Sequence, residues 1–182
     1  MQKSSKANNV DLPERVSLRR YLLFLSIVTV GCLTDLLTKH WMFDWLGMPG
    51  VSAPHWIIDN FFGFETALND GALFGQFGGR VQYLAIFSIV ALIGIIYWFV
   101  FARIGHDLPM TWTLGMITGG ILGNLYDRLG LWSQTGHQAV RDWILFQYSP
   151  QLKWPNFNIA DALLVCGAIM LFVLSWRKPD ES

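Results

Sequence analysis

VQYLAIFSIVALIGIIYWFVFA, residues 81–102, contains no Asp, Glu, Lys or Arg. A helix needs about 20 apolar residues to cross a bilayer core of roughly 30 Å, so this stretch reads as a membrane span. The rest of the composition agrees with it: 53% of residues are hydrophobic, nine are tryptophan, and only 14% are charged, which is far from a soluble average. A chain of 182 residues suits one domain, and a formal charge of zero offers no basic surface for nucleic acid.

Three further candidates lie on either side. Toward the N-terminus, YLLFLSIVTVGCLTDLLTKHWMF starts at Tyr21 and gives a span over about 21–42, with Asp35 and Lys39 near its far end. Toward the C-terminus, FNIADALLVCGAIMLFVLSW gives a span over 157–176, with Asp161 in its first turns. Between them, about 109–126 is weaker in hydropathy because it is rich in glycine. Gly115, Gly119 and Gly123 recur every four residues there, on one helix face, and allow a neighbouring helix to approach closely. Cys32 and Cys166 fall in apolar runs and read as packed thiols, with no disulfide framework.

Four spans place both termini on one side. Lys3, Lys6, Arg15, Arg19 and Arg20 before the first span, Arg103 and His106 after the second, and Arg177 and Lys178 after the last assign that side to the cytoplasm. The expected organisation is a flexible cytoplasmic tail (1–20), a four-span unit (21–176) and a short cytoplasmic C-terminal tail (177–182). The long connections, about 43–80 and 130–156, then lie outside. WIIDNFFGFETALNDGALFGQF has the broken apolar runs of strands and turns and predicts a small sheet on the outer interface, flanked by Trp41, Trp45 and Trp56. The second connection is less regular and contains Asp142. The fold class is therefore a mainly α membrane protein, a four-transmembrane-helix bundle with a small outer-face interfacial sheet.

Polar residues gather at one depth. Asp35, Lys39, Asn69, Asn124, Asp127, Arg128, Asp142, Asn158 and Asp161 all fall near the outer helix ends or their capping loops. Asp35 with Lys39, Asn124 with Arg128, and Asn158 with Asp161 are spaced to share a helix face. Charged groups at membrane depth are costly, so such a cluster points to function. His40, His55, His106 and His137 are scattered and make no Ser/His or Cys/His arrangement, and no spacing suits zinc. A pair of carboxyls remains. Two that share a proton can divide the work of activating water and protonating a leaving group.

Five ordered motifs carry a resemblance: DLLTK (35–39), NDGALF (69–74), GGILGNLYDR (119–128), AVRDW (139–143) and FNIADA (157–162). Together they resemble bacterial lipoprotein signal peptidase, also called signal peptidase II, over residues 21 to about 176. The resemblance implies a four-helix aspartyl endopeptidase of the bacterial cytoplasmic (inner) membrane. It would remove the signal peptide from diacylglyceryl-modified prolipoproteins by cutting on the N-terminal side of the lipidated cysteine. It makes Asp142 and Asp161 the catalytic dyad, Asp142 coming from the loop before the last helix. Asn69, Asn124, Arg128 and Asn158 become substrate-binding, and Asp35, Lys39, Gly71 and Asp127 supports. Residues 43–80 become an interfacial cradle, and the active site lies near the outer, periplasmic face. No cofactor or metal is implied. The partners are the lipoprotein substrates and membrane lipid, not nucleic acid, and a monomer is expected. Arg141 and Trp143 stand where the family more usually has apolar or phenylalanine neighbours. The alternative class, a carboxylate-based ion or proton transporter, would spread acidic residues through the bilayer and repeat one half in the other. Neither pattern is present in the sequence.

Overall fold

The protein is described by a computed structural model covering residues 16–71, 81–101, 104–149 and 151–176. Expectations resting on Lys3, Lys6, Arg15, Arg103, Arg177 and Lys178, and on positions 72–74 of the second motif, lie outside the described residues. The fold is mainly helical with one small antiparallel sheet. The elements are α1 (Leu18–Leu46), β1 (His55–Ile58), β2 (Phe62–Asn69), α2 (Val81–Val100), α3 (Leu108–Arg128), β3 (Val140–Ser149), β4 (Leu152–Lys153) and α4 (Ile159–Ser175). A single 3-10 turn, Ile104–His106, leads from α2 into α3.

Two of these helices, α1 and α2, are long and apolar enough to cross a membrane, and α4 is a shorter apolar helix. Their outer surfaces support the same reading. Val30, Leu37, Phe87, Val90, Ile169 and Phe172 are exposed, whereas Asp35, Lys39, Asn124 and Asp127 are fully buried. That is the reverse of a water-soluble bundle, in which apolar side chains turn inward. Cys166 is on the exposed surface and Cys32 is half-buried, so the expectation of two packed thiols does not hold for Cys166.

The glycine-rich helix takes the middle. α3 packs against α1, α2 and α4, and its glycines set the spacing. A Cβ at Gly115 would meet Ile27 at 2.9 Å, and one at Gly119 would meet the Val28 carbonyl at 3.1 Å. One at Gly120 would stand 2.7 Å from the Ala160 carbonyl on α4. The stripe read from the sequence is thus the seat of α1, and Gly120 on the adjacent face is the seat of α4.

Apolar clusters close the two ends of the bundle. At one end Val16, Phe24, Val28, Phe99 and Leu114 pack together, with Phe24 stacked on Phe99 at 4.3 Å. Of the flexible cytoplasmic tail expected over 1–20, residues 1–15 lie outside the described residues; in the remainder Val16 is buried in this cluster and the helix already begins at Leu18. Burial of Val16 and Tyr21 against α2 favours that early start over the polarity of Arg19 and Arg20. At the other end Met42, Trp143 and Ile144 gather Phe62, Phe64, Phe146 and Phe157 around them, fixing the sheet to the end of α1 and the start of α4.

The sheet runs β1-β2-β3-β4. Cross-strand pairs include Phe62 with Phe146, Phe64 with Ile144 and Ala67 with Asp142, with a bulge between Phe64 and Ala67. The second connection, expected to be irregular, therefore contributes the strand that joins β2 to β4. Its first six residues are all buried, so the period-two alternation that reveals a half-exposed strand is absent from VRDWIL. Asp142 stands in this strand and not in a loop.

Candidate active site

The site is assembled where the C-terminal parts of α1 and α3, the beginning of α4 and strand β3 meet. Lys39 is its centre. It stands four positions after Asp35 on α1, and its ammonium lies 2.7 Å from Asp35 Oδ2, 3.2 Å from Asp127 Oδ2 and 2.9 Å from Asn124 Oδ1. Two carboxylates and an amide oxygen thus surround the buried ammonium and offset the cost of taking its charge out of water.

Each carboxylate beside Lys39 reaches a second element. Asp35 Oδ1 accepts the backbone N–H of Ala160 at 2.9 Å, in the first turn of α4. Asp127 accepts from Arg141 three times: from the backbone N–H at 2.9 Å, from Nη2 at 2.8 Å and from Nε at 3.2 Å. The guanidinium of Arg141 also lies over the Trp132 ring, 5.1 Å from its centroid.

The two carboxyls of interest are linked through asparagines. Asn158 is the N-cap of α4, with its side chain accepting the Asp161 N–H at 2.9 Å while the Asp161 carboxylate accepts the Asn158 N–H at 3.3 Å. This reciprocal capping box satisfies two donors that a helix start otherwise leaves open. The same Asn158 amide donates to Asp142 Oδ1 at 2.6 Å and to Asn124 Oδ1 at 3.2 Å. Asn124 donates to Asp161 Oδ1 at 2.8 Å, and Asn69 donates to Asp142 Oδ2 at 3.2 Å. One buried amide thus touches both acidic residues.

Asp142 is almost wholly buried and Asp161 half-buried. Burial, and next the negative charge of Asp161, push the Asp142 carboxyl up to about 7, against the opposing pull of its hydrogen bonds from Asn158 and Asn69. An aspartic acid so placed holds its proton to higher pH than an ordinary carboxyl.

The expected residues therefore come together, with differing access. Asn124 and Asn158 are fully buried and their amides serve the carboxylates, whereas Asn69 is exposed and Arg128 half-buried at the margin. Arg128 donates to Ser88 on α2 at 3.2 Å. Gly71 donates its N–H to Asn69 Oδ1 at 3.0 Å and has φ +81°, a conformation that favours glycine. A Cβ on it would also run into Leu84. Among the described residues no group of three or more His, Cys, Asp or Glu is placed to hold a metal ion. Sequence reasoning did not find Arg141 as the partner of Asp127, nor Ser88 as the partner of Arg128. Both pairings join different elements, and no local spacing signals them.

Comparison with known proteins gives concordant results. The profile of the family described as Signal peptidase (SPase) II matches residues 27–177. The lipoprotein signal peptidase of Rhodopirellula baltica is 49% identical over 162 residues, covering 86% of this chain and 73% of that protein. The lipoprotein signal peptidase of Clostridium novyi is 36% identical over 161 residues, covering 84% of this chain and 96% of that one. A solved structure described as a bacterial membrane enzyme, obtained by the in meso method, superposes with a TM-score of 0.70. It is 23% identical and covers 93% of this chain and 97% of its own.

Proposed function

The chain belongs to the signal peptidase II family, and on that premise we propose that Asp142 and Asp161 form the aspartyl dyad with which it cuts its substrates. Its activity is that of a lipoprotein signal peptidase, a protease that removes signal peptides from lipoproteins. The observation that carries the dyad assignment is the Asn158 side chain, which donates to Asp142 while capping the helix turn that bears Asp161. With its side chain on the Asp142 carboxylate and its backbone N–H on the Asp161 carboxylate, Asn158 holds two carboxyls from different elements in one fixed relation, as acid–base catalysis requires.

In the proposed reaction the ionised carboxylate takes a proton from water as the water oxygen attacks the scissile carbonyl carbon. The neutral carboxyl donates its proton to the carbonyl oxygen, giving a gem-diol. One carboxyl then gives its proton to the amide nitrogen while the other, now ionised, takes a proton from a gem-diol hydroxyl; the C–N bond breaks, an acid and an amine leave, and the pair again holds one proton. Burial of Asp142 supports its keeping that proton near neutral pH.

The exposed Asn69 and the half-buried Arg128 are suited to the substrate backbone. Asn124 and Asn158, enclosed by protein, instead hold the carboxyls. Asp35, Lys39 and Asp127 form the ionic support beneath them, and Gly71 the turn that aims Asn69.

The finer organisation belongs to the same proposal. α1 to α4 are four membrane spans, within a unit that begins by Val16 and runs to 176, flanked by cytoplasmic tails, and the β-sheet is an interfacial cradle at the outer face of the bacterial inner membrane. A diacylglyceryl-modified substrate lying in the bilayer would present its bond there, and the cut falls just before the lipidated cysteine. The protein acts as a monomer. The outward apolar surface of α1, α2 and α4 and the polar network at the sheet end support this arrangement. The ion or proton transporter reading finds no support in the family or in the site.

The test is cleavage of a diacylglyceryl-modified prolipoprotein peptide by the native protein and by folded Asp142→Asn and Asp161→Asn variants. Asparagine preserves size but removes the exchangeable carboxyl proton. Both variants should lose at least about 10³-fold in rate. Near-native cleavage by either would remove that residue from the dyad.

A further inference from the structure

We propose that Arg141 is a positioning residue for this reaction: its grip on Asp127 fixes the pose in which β3 presents Asp142 to Asn158. The proposal rests on the dyad reading and goes beyond it, since Arg141 stands where apolar neighbours are more usual in the resembled motif.

Arg141 is anchored to Asp127 by both its main chain and its side chain. The backbone N–H and the Nε and Nη2 groups all converge on that one carboxylate, at 2.9, 3.2 and 2.8 Å. A residue held at both places cannot rotate about the strand axis. Successive side chains on a strand point to opposite faces, so fixing residue 141 on one face fixes residue 142 on the other. The carbonyl of Arg141 also lies 3.5 Å from Asn158 Nδ2, the atom that donates to Asp142 Oδ1 at 2.6 Å. The peptide unit between the two residues therefore borders the amide that joins the dyad.

Trp132 supports the clamp from the other side. Its ring lies 5.1 Å from the Arg141 guanidinium carbon, and its Nε1 donates to the Ala139 carbonyl at 3.1 Å, just before β3 begins. Charge balance gives Arg141 a second effect. Asp35 and Asp127 face Lys39 and Arg141 in one buried group, two negative charges against two positive. Without Arg141 the group carries an excess negative charge beneath the dyad.

The experiment measures kcat, KM and the pH profile of kcat on a diacylglyceryl-modified prolipoprotein peptide. It compares the native protein with Arg141→Met, Arg141→Lys and Trp132→Leu, each checked for thermal unfolding. The charged groups facing Asp142 are Asp161 from α4, Lys39 from α1 and Arg128 from α3, and β2 adds the neutral amide of Asn69. All are unchanged in these variants. A misplacement of about 1 Å can cost about 10²-fold in rate, so Arg141→Met should lose roughly 10- to 100-fold in kcat with KM within about twofold. Loss of the positive charge should also move the alkaline limb of the profile to higher pH. Arg141→Lys should return that limb toward the native position yet stay several-fold low in kcat, because an ammonium cannot reproduce the fork.

A folded Arg141→Met with native kcat and a native profile overturns the proposal, even if it melts earlier. Should Arg141→Met not fold, Arg141→Lys and Trp132→Leu decide: native kcat in both overturns it, and a reduced kcat at unchanged KM upholds it. Asp142→Asn in the same assay separates the two claims. If that variant cleaves normally the dyad reading fails; if it is inactive while the Arg141 variants behave as native, only the role of Arg141 fails.

Discussion

Asp35 on the first helix accepts the backbone N–H of Ala160 in the first turn of the last, at 2.9 Å across 125 positions of sequence. Its other carboxylate oxygen meets the Lys39 ammonium at 2.7 Å. One side chain therefore satisfies a helix start and a buried cation together, and the order of the site depends on it. Asp35→Leu should destabilise the folded protein by about 3 kcal/mol or more, because it strips a buried charge of a partner. Asp35→Asn keeps a carbonyl acceptor and should lose clearly less. Thermal unfolding in detergent measures both, and equal melting of Asp35→Leu and native protein would contradict the assignment.

Asn158 has two duties that substitution can separate. Serine caps helices well but is too short to reach across to Asp142. Asn158→Ser should melt within a few degrees of native and lose roughly 10- to 100-fold in kcat, whereas Asn158→Ala should lose both the rate and about 1 kcal/mol of stability. Parallel loss of rate and stability in Asn158→Ser would mean that the bond to Asp142 has no separate catalytic role.

The pH dependence follows from Asp142. Its carboxyl rises from an ordinary 3.8 to about 7 in the folded protein. A group whose folded pKa exceeds its unfolded value contributes stability that is whole below about pH 4 and is lost as pH rises through about 7. The gap of about three units corresponds to roughly 4 kcal/mol over that window. Asp142→Asn cannot ionise, so its melting temperature relative to native should increase between about pH 4 and about pH 7 and level off above it. Activity of the native enzyme should fall above about pH 7 as the shared proton is lost. A melting difference that stays constant with pH would contradict the shift.

Glycines in the bundle should divide by what surrounds them. A Cβ at Gly123 would press into the Asp35 carboxylate, whereas one at Gly94 would meet nothing within 4 Å. Gly123→Ala should displace the ion pair and lower both stability and activity sharply. Gly94→Ala should be neutral or stabilising by up to about 1 kcal/mol from helix propensity. Thermal unfolding and peptide cleavage of the two variants, side by side, check the contrast.

Much of this arrangement was legible in the chain. The charge-free run at 81–102 indicated the membrane, the glycine repeat identified the packing face of α3, and Asp35 and Lys39 at a spacing of four gave the ion pair. Motif order singled out Asp142 and Asp161. Other features depend on distant pairing and left no local mark. VRDWIL is buried on both faces and so lacks the alternation that would have identified β3. Val16 becomes part of an apolar cluster only once α2 returns beside it. The grip of Arg141 on Asp127 requires the end of α3 and the start of β3 to meet, which the intervening loop conceals. Asn124 and Asn158 were expected to bind substrate, and their complete burial, which turns them toward the carboxyls, depends on the closed bundle.

The capping box at the head of α4 has a consequence for how this protein can fail. On the dyad reading, the carboxylate that terminates the helix is also a reagent, so fraying of a single turn is itself inactivation. Local opening of the Asn158–Asp161 turn and loss of catalysis are then one equilibrium, read by amide exchange on one side and by turnover on the other. Competence at the chemical step begins only when the helix does.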